Sequence, residues 1–396
     1  MQVIAFQLHT HQNIAINHRF SQECKMKQRL LFSIVFVTLL AIGSLDLLQA
    51  SPIRKKLVKR GKLTSIEIAD TIFGVLGAGD ITVDPRTGMA FIACDYRRKQ
   101  EEDYVFPGAI YGLDLSSEKP YLRHLTPDLA FEFHPQGISF YSDPQTGQDR
   151  LFVINRKRKQ PTIEIFKWEN KKLIHIETLA HPALVSPNDI QATGLRSFYF
   201  TNDHGSRTPL GIYLEDLLRI PRANVVYFDG KTFRAVAGKL LYANGIQLNF
   251  SNNQLYVSST LRGRVYQYAR DPITGALLLE KYYKVSKGID NLELDSRGDL
   301  WVCANTNLVK YVRHAYVEEA KSPWKLYRIR LSMAREIDPH KIVEEVYRSN
   351  GKEISAVSVA AFYKQHILLG SFYQDYIINA KIIEPYSQSS FLFLEY

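Results

Sequence analysis

Five stretches of this sequence carry side-chain oxygens at a matching phase: Asp80, Gln136, Asn188 with Asp189, Asn244, and Asp290 with Asn291. Each stands just ahead of an apolar run and a tight turn. The anchors at 80, 136, 188, 244 and 291 lie 56, 52, 56 and 47 residues apart. Carboxylates and amides, without cysteine and with few histidines, are the donors that suit a hard cation. Calcium takes about 6–8 oxygens and accepts Asn side chains and backbone carbonyls, whereas magnesium keeps more of its water. Turn formation alone also favours Asn and Asp, but it does not require an oxygen-bearing side chain at one phase in five successive repeats. The pattern therefore predicts that these residues meet, with calcium where they meet. Such an ion would tie distant parts of the chain together and could polarise a carbonyl.

What must position them is a repeated strand unit. Residues 80–84 lead through Pro85 and Gly88 to the apolar 90–92, and 136–139 lead through Asp143, Pro144 and Gly147 to 151–153. Residues 188–190 lead to 198–200, 244–246 to 255–257, and 290–292 to 300–302. A weaker sixth copy runs from 358–360 to 366–369. A repeat of about 40–50 residues holding four strands is a propeller blade, so residues 62–396 are expected to form an all-β, six-bladed β-propeller. The innermost strand of each blade lines the central channel, and residues that start those strands converge on one face. Residues 266–268 and 277–279, joined by the turn 271–275, fit the outer half of one blade. The amphipathic run 208–220 predicts a short helix over one mouth, and 321–340 a long connection before the last blade. The content of 23 Tyr and 21 Phe suits packed strands.

Residues 30–45 are almost wholly apolar, short of the ~20 residues that span a bilayer. Lys25, Lys27 and Arg29 precede them, and Leu48, Gln49 and Ala50 follow as a cleavage tripeptide. Residues 26–50 are therefore expected to be a secretory signal peptide or, left uncleaved, a membrane anchor. Met26 stands where a start would give this segment its basic head, so residues 1–25 are expected to be a start-site extension. Residues 51–61 form a basic linker. The chain is thus placed outside the cytoplasm, secreted or held at a membrane surface. Its net charge of +10 comes without any zinc-finger, RNP or basic-zipper pattern, so nucleic acid is not an expected partner. The three cysteines, Cys24, Cys94 and Cys303, include no C-x-x-C pair, which argues against a zinc or redox site. Cys94 and Cys303 are expected as buried free thiols, with pairing between them left open.

The runs FHPQGIS (133–139), NDI (188–190), TNDH (201–204), ANGI (243–246), DN (290–291) and GDLWV (298–302) occur in an order and spacing that resemble the paraoxonase/arylesterase family across about residues 74–375. More distantly, the chain is similar to gluconolactonase-like (SMP-30) propellers. The resemblance implies a six-bladed propeller with two channel calcium ions that hydrolyses a small-molecule ester or lactone. It implies a structural calcium held by Asp80, Asp189 and the backbone carbonyl of Ile138. It implies a catalytic calcium held by Asn188, Asn244, Asp290 and Asn291. Four positions depart from the family pattern. A ligand Glu falls on Gly79, the two proposed water-activating histidines fall on Gln136 and Arg156, and a further pocket histidine falls on Asn305. Glutamine is no useful proton acceptor, and arginine stays protonated. Two other histidines are candidate bases: His134, which strand alternation would place on the same face as Gln136, and His204. Two functions follow: a calcium-dependent ester or lactone hydrolase of arylesterase type, or a non-catalytic, calcium-stabilised propeller serving as a binding or chaperone-like module.

Overall fold

The computed structural model describes residues 65–98, 107–157, 160–332 and 342–383. They form six four-stranded antiparallel sheets. Blade one is β2(Ala78–Val83), β3(Met89–Cys94), β4(Ala109–Asp114) and β5(Leu122–His124). Blade two is β6(Pro135–Ser142), β7(Asp149–Asn155), β8(Thr162–Glu169) and β9(Lys172–Leu179). Blade three is β10(Pro187–Ala192), β11(Phe198–Asn202), β12(Ala223–Phe228) and β13(Phe233–Leu240). Blade four is β14(Ala243–Asn249), β15(Gln254–Ser259), β16(Arg264–Arg270) and β17(Leu277–Lys284). Blade five is β18(Ile289–Leu294), β19(Leu300–Ala304), β20(Trp324–Ile329) and β21(Val343–Ser349). The last blade takes β22(Val359–Tyr363), β23(His366–Gly370) and β24(Tyr376–Ile383) from the C-terminal part, and β1(Ser65–Phe73) from the N-terminal part. β1 runs antiparallel to β24, from Ser65 opposite Ile383 to Phe73 opposite Tyr376. Backbone hydrogen bonds between the two ends of the domain thus close the ring. The six-bladed propeller expected from the repeat is the fold observed.

The core is divided in the same way. One buried apolar cluster lies between each pair of neighbouring blades: blades one and two around Phe91, Phe133 and Phe166, two and three around Phe152 and Phe198, and so on round to a cluster joining Val359 and Ala361 to Ile81 and Ala90. Strand burial falls with distance from the axis. β3 and β10 are buried throughout, whereas the outer strand β9 alternates between exposed and half-buried residues, as one solvated face requires. The turns 84–88, 143–147 and 271–275 share the pattern D-P-x-T-G. In each, the glycine N–H donates to the Asp carbonyl and the glycine takes a positive φ of 67–80°, which only glycine adopts freely.

The helix expected over 208–220 is α1(Pro209–Leu218). Its Thr208 N-cap accepts from the Gly211 N–H, and proline stands in its first turn, where a missing N–H costs nothing. A second helix, α2(Leu308–Tyr316), capped by Asn307, was not expected. The stretch 321–340 is not a plain connection, because it contains β20. Cys94 and Cys303 are free and buried. Among the described residues no helix is long and apolar enough to cross a membrane. The segments 1–25, 26–50 and 51–61 lie outside the described residues.

Candidate active site

Five of the six inner strands break register at the predicted anchors. The shifts fall between Ala78 and Asp80, Pro135 and Ile138, Pro187 and Ile190, Ala243 and Ile246, and Ile289 and Leu292; β22 pairs with β23 without one. A bulge re-aims side chains and frees backbone groups from the ladder. Here the freed groups reach across blades. Asp80 Oδ2 accepts from the Ile138 N–H (2.8 Å), and Asp80 Oδ1 accepts from the Asn291 amide (2.8 Å). Asp189 Oδ2 accepts from the Ile246 N–H (2.8 Å). Blades one, two and five therefore meet through Asp80, and blades three and four through Asp189. Two glycines allow this approach. A Cβ on Gly137 would stand 2.5 Å from Asp189 Cα, and one on Gly245 would stand 2.7 Å from the Leu292 nitrogen.

The remaining anchors are held from behind. The Asn188 amide donates to Asp203 Oδ2 (3.1 Å). The Asn244 amide donates to Thr260 Oγ1 (3.2 Å), and the Asn244 carbonyl accepts from Thr201 Oγ1 (2.7 Å). Asn244 Oδ1 is buried and has no hydrogen-bond partner. Burial pushes Asp80 and Asp290 up to about 7. Burial, then the Asp80 charge, pushes Asp189 up as well. Glu293, two residues beyond Asn291 on β18, is raised by burial and by Asp80 and Asp189. At the far ends of the inner strands a cavity of about 420 Å³ opens onto Asp80, Asp189 and Glu293.

These residues fit a hard cation. Buried carboxylates that repel one another are costly without a counter-charge, and the buried Asn244 amide oxygen is an acceptor left without a partner. No three His, Cys, Asp or Glu side chains among the described residues cluster closely enough to hold an ion alone, so the amides of Asn188, Asn244 and Asn291 are essential to the fit. Glu293 was not among the residues singled out from sequence, although period-two alternation from Asn291 pointed to it.

The departures from the family pattern form a network of their own. Arg156 donates to Gln136 Oε1 (2.9 Å), Ser186 Oγ (3.1 Å) and Asp203 Oδ2 (3.3 Å). Asp203 also accepts from the Ser186 hydroxyl and faces His204 Nδ1 at 2.7 Å. Although burial raises it, the Arg156 charge and His204 hold the Asp203 carboxyl well below its usual range. The second ring nitrogen of His204 faces Asp216 Oδ1 of α1 at 3.0 Å. Burial pulls His204 down, but the two carboxylates push it up to about 9, so it is an imidazolium at neutral pH with no lone pair to offer. His134 precedes β6, and the register break prevents simple alternation with Gln136. Its Nδ1 faces Asp95 Oδ1 at 3.0 Å and its Nε2 lies 3.4 Å from Glu132. The Asp95 hydrogen bond raises its pKa. Asn305 donates to the Val357 carbonyl (3.1 Å) and keeps a buried, unpartnered Oδ1.

The place of the missing glutamate is filled. A Cβ on Gly79 would stand 1.8 Å from the Phe372 ring. Gly79→Glu is therefore expected to destabilise the fold by about 3 kcal/mol, with most of the loss recovered in Gly79→Glu/Phe372→Ala. Thermal melts of the two variants check this, and a single variant as stable as the unaltered protein would contradict it.

The arylesterase family pattern matches residues 101–378. Serum paraoxonase/arylesterase 2 of Rattus norvegicus is 32% identical over 355 residues, covering 86% of this chain and 97% of the relative. The Homo sapiens protein of the same name is 32% identical over 305 residues, covering 75% and 84%. Among solved structures, a gluconolactonase from Xanthomonas campestris superposes with a TM-score of 0.48 at 15% identity, covering 84% of this chain and 99% of that one.

Proposed function

The chain belongs to the paraoxonase/arylesterase family, and on that footing we propose that it binds calcium in its channel and hydrolyses a small-molecule ester or lactone there. The observation that carries this reading is the pair of cross-blade junctions, Asp80 with Ile138 and Asn291 and Asp189 with Ile246, together with the buried, unpartnered Asn244 oxygen. Asp80, Asp189 and the Ile138 carbonyl would hold a structural ion, and Asn188, Asn244, Asp290 and Asn291 a catalytic one. Calcium bound there supplies Lewis-acid polarisation of a substrate carbonyl.

The chain's own groups do the rest. Asp203 fixes the Asn188 amide, and Thr260 and Thr201 fix Asn244. Tyr242, Tyr311 and Tyr373 stand within electrostatic reach of Asp290. Of the two candidate bases, His134 is the better suited. Asp95 orients its Nδ1, and the Nε2 contact to the exposed Glu132 is long, which leaves that nitrogen able to take a proton and pass it to solvent. We place the protein outside the cytoplasm, as its serum-named relatives suggest.

A second reading, a non-catalytic calcium-stabilised module, is favoured by one observation: Arg156 occupies an imidazole position and bonds Gln136 in the other. Assays with phenyl acetate and δ-valerolactone separate the two. Hydrolysis should require calcium and be lost on chelation. Asn244→Ala should lower kcat/KM about 100-fold. Turnover indifferent to both would overturn the calcium mechanism, and calcium binding without any turnover selects the second reading.

A further inference from the structure

We propose that the channel mouth carries an anion-recognition site built on Arg97, so that the preferred ligand bears a carboxylate besides its ester or lactone carbonyl. The inference deepens the reading of this mouth as a substrate site and rests on it. Arg97 lies just beyond β3, with its guanidinium stacked 4.7 Å from the Phe372 ring centre, over the position where Gly79 leaves room for that ring. Its side chain is 23% exposed, yet Nε and Nη2 are covered and make no hydrogen bond. The nearest carboxylate, Asp95, approaches Nε only at 3.4 Å and gives its other oxygen to His134.

The neighbouring Arg156 differs. It is close enough that, behind burial, its charge lowers the Arg97 pKa, but its own donors are taken by Gln136, Ser186 and Asp203. Of two cations at one mouth, one is committed to the protein and the other has donors left over. Gly79 supplies no carboxylate from β2, and the groups stacked on or electrostatically closest to Arg97 besides Asp95 and Arg156 are the aromatic rings of Phe372, Tyr373 and Tyr311. A planar guanidinium held flat against a ring and half withdrawn from water matches a carboxylate in a two-point pair. A neutral ligand would leave those donors unused.

Calorimetric titration of the calcium-loaded protein tests this with two unreactive probes of one shape: adipamate, with a carboxylate at one end and a carboxamide at the other, and adipamide, with carboxamides at both. Adipamate should bind at least about tenfold more tightly. Arg97→Gln should abolish that preference, and Arg97→Lys should retain only part of it. Equal binding of the two probes by the unaltered protein overturns the proposal. So does a preference that survives Arg97→Gln, which would place the anion on the calcium. If melting curves show Arg97→Gln unfolded, Arg97→Lys decides, because an unchanged preference there also overturns the proposal. The readout is binding, so a protein that hydrolyses nothing still answers.

Discussion

Chelating calcium should lower the melting temperature more at pH 8 than at pH 5, and the gap should open between about pH 4 and 7. The reason is the burial of Asp80 and Asp290, which lifts both carboxyls from an ordinary 3.8 to about 7 in the metal-free fold. A carboxyl with a folded-state pKa above its unfolded value favours folding below the unfolded value. That contribution is lost as pH rises through the folded value. Without calcium, therefore, stability from these groups drains away as the pH rises toward 7. Ionisation of both disfavours the fold when no cation is bound, and Asp189, raised by burial and by Asp80, adds to the same sign. Bound calcium reverses the balance: the carboxylates become favourable when charged, and that stability is lost as protons displace the ion at low pH. Comparing melts with calcium and with chelator at each pH cancels every group outside the channel. The difference should reach about 10 °C or more at pH 8. A difference that is flat or shrinking across this range would mean that the channel carboxylates do not face an ion.

How far the sequence exposed this arrangement depends on how local each feature is. The anchors at 80, 136, 188, 244 and 290–291 could be read because each blade repeats one short unit, and the strands β2, β6, β10, β14 and β18 begin there. The amphipathic run 208–220 marked α1, which Thr208 caps and Pro209 opens. β20 was hidden because Lys325 and Arg328 made it look like surface connection. Both find acids on the adjacent β21, with Lys325 on Glu345 at 2.7 Å and Arg328 on Glu344 at 2.9 Å, a pairing visible only in the folded sheet. The ring closure by β1 joins residues more than 300 positions apart, and the contact between Gly79 and Phe372 is almost as distant. No local pattern reports either. The register breaks at the anchors belong to the same class. They explain why His134, placed beside Gln136 by simple alternation, instead turns toward Asp95.

Restoring both imidazoles, in Gln136→His/Arg156→His, is expected to raise kcat on phenyl acetate by about 10²–10⁴-fold, the usual scale of a positioned general base. The scaffold for it is already present. Asp203 is buried, held ionised, and bonded by Ser186, Asn188 and His204 as well as by Arg156, so removing the guanidinium does not strand it. An imidazole at 156 would gain Asp203 as an orienting partner, and one at 136 would stand where Gln136 now accepts from residue 156. Arg156 cannot accept a proton at any working pH, so at present the pair can position groups but cannot move protons. The double variant should therefore add a limb to the pH–rate profile near pH 6–7, absent from the unaltered protein, with calcium affinity little changed because no proposed ligand is touched. The single variants should gain far less, since either one leaves the other half of the pair inert. If the double variant binds calcium and folds but turns over no faster, proton removal is not what limits this channel. The Asp95–His134 pair would then already carry that step, or the propeller would be a binding module in which water activation has no role.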